Sequence, residues 1–103
     1  MTKLMTRAAL ASLLIMAVTL PVQGGVIERA CMASGRDSAN PGLCGCIQDV
    51  ADATLRGREQ RKVAKFFRNP DRAQDVRQSS RSSDRQLWGR YTAFGAAAES
   101  SCS

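Results

Sequence analysis

The chain has 103 residues, with 15 lysines and arginines against nine acids for a net charge of +6, four cysteines and no histidine. Without histidine the common Ser-His and Cys-His nucleophile–base pairs are excluded. No phosphate-binding glycine loop is present, and the acids are scattered among arginines, where pairing and solvation account for them. The composition therefore predicts neither an enzyme nor a cofactor, and a chain this short forms one domain with a marginal core that needs a staple.

Lys3 and Arg7 precede an uncharged apolar run from Ala8 to Leu20, and Pro21 and small residues follow. This is the three-part layout of a secretory signal peptide. The run is shorter than the roughly 20 residues that a helix needs to span a bilayer. Val22 and Gly24 suit the small-residue rule for cleavage, so residues 1–24 are read as a signal peptide and 25–103 as a single helical mature domain, periplasmic or secreted, with no transmembrane span. Losing Lys3 and Arg7 leaves about +4 on the mature chain, a balance that favours acidic partners.

Within the mature chain, Ile27, Ala30, Cys31 and Ser34 recur at helical spacing over Gly25 to Ser34, and Gly35 and the turn formers of RDSANPG end that helix. A second helix begins near Pro41 or Gly42 and places Leu43, Ile47, Val50, Ala51 and Leu55 on one stripe, with Gly57 in the left-handed closing position. The third, REQRKVAKFFRNP, carries Val63, Phe66 and Phe67 on its apolar side and stops near Asn69, because the residue before a proline is pushed out of the helical region. Asn69 and Pro70 read as the cap and first residue of a short fourth helix anchored by Ala73 and Val76.

The polar stretch SSRSS separates that helix from the last one. Ser83 and Gln86 have capping-box spacing, and Leu87, Tyr91, Phe94, Ala98 and Cys102 run down one face. Trp88 lies one step off this face, and a second core stripe is favoured for it over an exposed contact. The fold class predicted is all-α, four to five short helices stapled by two disulfides, with Ile47, Val50, Leu55, Val63, Phe66, Phe67, Leu87, Tyr91 and Phe94 as core.

An even number of cysteines in a short exported chain implies a disulfide framework, here Cys31, Cys44, Cys46 and Cys102. Residues two apart on a helix differ by about 200° of rotation, so Cys44 and Cys46 cannot readily bridge each other. Two connectivities remain, Cys31 pairing with one of the two and Cys102 with the other. Equal depth from the turn favours Cys31–Cys46 with Cys44–Cys102 over Cys31–Cys44 with Cys46–Cys102. The competing chemistry for Cys-Gly-Cys is a thiol-redox or metal-binding centre, although the paired C-x-x-C spacing of a structural zinc site is missing.

Arg58, Arg61, Arg68, Arg72, Arg77, Arg81 and Arg85 are the candidate contacts for an anionic partner, either a protein or the envelope surface. Interleaved aromatics are also a feature of nucleic-acid binders, but their spacing is that of a helical core and an exported chain rarely meets nucleic acid, so none is expected.

The blocks IERAC, LCGCIQDVAD, KFFRNPDRAQDVRQS and LWGRY, with a terminal CS, resemble a family of small exported bacterial proteins, some of whose members carry an "arginine transporter" label. The resemblance implies at most a soluble accessory role in arginine uptake, since the mature chain has no spanning segment from which to build a transport path. Binding cationic arginine would call for a local acidic pocket, for example at Asp49 and Asp52. The resemblance supplies no catalytic residues.

Overall fold

A computed structural model describes residues 24–103; apart from Gly24, the predicted signal peptide lies outside the described residues. Five helices follow in order: α1 (Val26–Met32), α2 (Pro41–Thr54), α3 (Gly57–Arg68), α4 (Asp71–Gln78) and α5 (Ser82–Cys102). No strand occurs among the described residues, so the fold is all-α. Each helix packs chiefly on two others, in the closed order α1, α2, α5, α4, α3 and back to α1. This ring surrounds a core centred on Ile27, Ala51, Leu55, Val63, Phe66, Leu87 and Phe94.

Of the predicted core residues, Leu55, Val63, Phe66, Leu87 and Phe94 are buried, while Ile47, Val50, Phe67 and Tyr91 are half-buried against them. Trp88 also packs against the core, as the second-stripe reading expects. Tyr91 joins the aromatic side chains: its ring meets Phe66 edge-on at 5.1 Å and lies 5.4 Å from Trp88 and 6.4 Å from Phe94. Edge-to-face and offset pairs at these distances contribute beyond the area they bury.

The rotation of α2 differs from the sequence reading. Its most buried stripe is Cys44, Gln48, Ala51 and Leu55, at spacings of four, three and four, while Leu43, Ile47 and Val50 are half-buried beside it. This rotation decides the disulfides. The bonds are Cys31–Cys44, with Cα atoms 5.6 Å apart, and Cys46–Cys102, at 5.8 Å. They correct the favoured pairing of Cys31 with Cys46 and Cys44 with Cys102. Depth from the turn is not the deciding quantity; Cys44 lies on the buried face toward α1, and Cys46, about 200° around the helix, faces the end of α5.

Three helix ends also differ. The left-handed glycine that follows a helix is Gly35, at φ 72°, just beyond α1. Gly57 instead opens α3, and α2 closes through Leu55 in extended conformation, which leaves Leu55 and Arg56 to turn the corner. α4 begins at Asp71, one residue later than read, with Pro70 rather than Asn69 at its N-cap, and the Asn69 side chain accepts from the Asp71 N–H at 3.2 Å. At α5 the Ser83–Gln86 capping box does not form, because the helix already starts at Ser82 and Ser83 lies inside its first turn. The Ser79 hydroxyl accepts from the Arg81 N–H just ahead of it.

Candidate functional site

The two staples tie α1 to α2 and α2 to α5, so two of the five contacts around the ring are covalently bridged and α3 and α4 are held to it by packing. Cys31 and Cys44 are buried, whereas Cys46 and Cys102 are half-buried. All four sulfurs are bonded, so in this state neither sulfur of Cys-Gly-Cys is a thiolate. No group of three or more metal-ligating side chains converges among the described residues.

Gln48 is the one buried polar side chain among the described residues, 6% exposed. Its Oε1 accepts from the backbone N–H groups of Ile27 and Glu28, both at 2.9 Å, and so caps the first turn of α1 from a neighbouring helix. Helix N-termini leave their first N–H groups without intrahelical partners. Here Gly25, at the N-cap, has no side chain to offer, and the cap comes from α2. The Gln48 Nε2 donates to Asp52 Oδ1 at 2.8 Å and to Gln60 Oε1 at 3.0 Å, and the Gln60 Nε2 donates to the same Asp52 oxygen at 3.1 Å. A Cβ at Gly25 would stand 2.4 Å from the Gln48 amide, so the close approach requires glycine there.

Sequence reasoning missed this network because a glutamine inside an apolar stripe reads as a break in it. The available signal was the spacing of Cys44, Gln48, Ala51 and Leu55. The network also uses Asp52, whose Oδ1 holds Gln48 and Gln60, while Asp49 stands exposed.

The candidate arginines fall where the burial pattern of α3 drives them. With Val63, Ala64 and Phe66 buried, Arg58, Arg61, Lys62, Lys65 and Arg68 share the solvent side at spacings of three and four. All seven predicted contacts, Arg58, Arg61, Arg68, Arg72, Arg77, Arg81 and Arg85, are exposed. Arg61 and Arg68 line one shallow groove with Arg29 and Lys65, and Arg68 and Arg72 line another at the α3–α4 corner. Arg58 belongs instead to a cleft between α3 and α5, while Arg77, Arg81 and Arg85 line none of these.

A single ion pair forms among the described residues, Arg90 Nε to Glu59 Oε2 at 3.1 Å. The other carboxylate oxygen of Glu59 accepts from the Arg56 N–H at 2.9 Å, so one side chain both caps α3 and ties it to α5. Every other lysine and arginine described has no acidic partner within ion-pair distance. The charge is thus spread over the surface as solvated cations, where self-repulsion raises the attraction for anions.

Fold and surface together define a disulfide-stapled, five-helix domain with a cationic exterior. No protein-family model, curated protein or solved structure matches the chain. Among the described residues no helix is long and apolar enough to cross a membrane.

Proposed function

We propose that this is an exported binding protein of the bacterial envelope, a stapled helical scaffold that engages an anionic partner through its arginine-rich surface. The observation that supports the reading is the contrast between the many exposed cations and the lone Arg90–Glu59 pair. A charge left without an intramolecular partner contributes little to the fold, and near an anionic surface each lysine or arginine contributes about 1 kcal/mol of attraction. The two disulfides suit an oxidising compartment and a small core. The Cys-Gly-Cys pair acts as two staples.

The test is sedimentation of the oxidised mature protein with phosphatidylglycerol vesicles and with neutral phosphatidylcholine vesicles across a salt series. The reading predicts binding to the anionic vesicles alone, weakening as salt screens the surface; the screening length is about 10 Å at 0.1 M salt. Absence of binding to the anionic vesicles at low salt, or binding indifferent to salt, overturns it.

A further inference from the structure

We propose that the cleft between the N-terminal halves of α3 and α5 is a binding site for a phosphomonoester-type dianion, a proposal that rests on the anionic-partner reading and localises it. α3 and α5 are not neighbours in the ring. They meet through side chains, Phe66 against Tyr91 at 5.1 Å and Glu59 to Arg90 at 3.1 Å, and beside these contacts lies a cleft of about 440 Å³. Arg58 and Lys62 line it from α3 and Arg56 from its N-cap, Ser83 and Gln86 from α5, and the buried side chain of Leu87 forms an apolar part of the wall.

The charge balance selects the ligand. Glu59 is the lone acid lining the cleft, and both its oxygens are engaged, one by Arg90 and one by the Arg56 N–H. Arg56, Arg58 and Lys62 are left uncompensated, and Arg58 and Lys62, four residues apart on one helix, repel each other. An anion between them removes that repulsion, and the N-terminal end of the α3 dipole adds to the attraction.

Two guanidinium groups, an ammonium, a hydroxyl and an amide supply more donors than a single carboxylate can accept. A tetrahedral dianion with three terminal oxygens can use them, and guanidinium forks match its geometry. The cleft volume leaves room for a small organic body attached to the phosphate.

The same group occurs in a soluble phosphate ester and in a lipid headgroup, so two probes are used: glycerol phosphate by isothermal titration, and phosphatidylcholine vesicles carrying phosphatidic acid by sedimentation. Each is applied to the wild type, to the cleft variant R58Q/K62Q and to the charge-matched variant R29Q/R36Q. All four side chains are exposed, so both variants should melt like the wild type. The proposal predicts that at least one probe binds, that R58Q/K62Q weakens it about tenfold or more through the loss of charge-assisted contacts, and that R29Q/R36Q stays within about twofold. Binding of both probes identifies a soluble ester as sufficient, and binding of the vesicles alone identifies a lipid headgroup.

Equal weakening by the two variants, or binding of neither probe, overturns the cleft. Phosphatidylglycerol binding that persists in either case leaves the broader anionic reading standing, and its absence removes both.

Discussion

Replacing Gln48 with leucine tests the hidden cap on α1. Leucine fills most of the volume but accepts no hydrogen bond, so the Ile27 N–H, in a buried bond, and the partly buried Glu28 N–H both lose their acceptor. Leaving a buried donor unpaired costs about 1–3 kcal/mol, and removing a helix N-cap costs about 1 kcal/mol. The expected loss is about 2–4 kcal/mol, a large share of the roughly 4–12 kcal/mol that a domain of this size has in total. In a domain of this size that corresponds to a drop in Tm of roughly 10–30 °C.

The assay is urea and thermal unfolding of the oxidised protein, followed by circular dichroism, for wild type, Q48L, Q48A, G25A and G25A/Q48A. G25A should destabilise the wild type, because its Cβ would sit 2.4 Å from the Gln48 amide, and should cost much less once Gln48 is truncated. A Q48L variant within about 0.5 kcal/mol of wild type, the range of ordinary surface substitutions, would refute the reasoning, as would an equal cost of G25A in both backgrounds.

Reduction should be ordered. Cys46–Cys102 is half-buried and Cys31–Cys44 buried, so alkylation mass spectrometry under mild dithiothreitol should label Cys46 and Cys102 first. The disulfides close loops with sequence separations of 56 and 13 residues. The chain-entropy relation assigns them about 4 and about 3 kcal/mol, so C46S/C102S should lose more stability than C31S/C44S in urea unfolding. F66A removes a buried ring and its edge contact with Tyr91, and should cost about 3–5 kcal/mol in the same assay. G35A, at positive φ in open space, should cost about 1–2 kcal/mol from backbone strain alone; G57A, at the start of α3 with only the Arg61 guanidinium nearby, should be neutral or stabilising by up to about 1 kcal/mol.

The helices themselves were legible because their signals are local. The Leu87, Tyr91, Phe94, Ala98 spacing places one continuous face on α5, and Pro70 ends α3 at Asn69 through backbone sterics that need no tertiary partner. The face of α2 was harder to read, since Ile47 and Val50 outrank Gln48 on any apolar scale. What turns Gln48 inward is a demand from α1, whose unpaired N–H groups lie about twenty residues away in sequence.

The disulfide pairing inherits that error, because it follows the rotation of α2 rather than loop symmetry. Gly57 and Ser83 misled for a related reason: each has the right residue type for a helix end, but the two-residue corner at Leu55–Arg56 and the early start of α5 at Ser82 decided where those ends fall. The exposure of the seven arginines could be foreseen from charge alone. Their division between a cleft and open surface depends on how α3 and α5 meet, which the periodicity of either helix leaves open.

The central claim, that an exported scaffold uses its Cys-Gly-Cys pair as two staples beneath a cationic surface, is tested most directly by mass spectrometry. The native protein would be taken from a salt wash of the source cell's envelope, alkylated without reduction and mapped by peptides. The account predicts a chain beginning near Gly25, no alkylated cysteine, and cross-linked peptides joining Cys31 to Cys44 and Cys46 to Cys102. Alkylation at Cys44 or Cys46 in the freshly recovered protein would contradict it and make the pair a reactive centre.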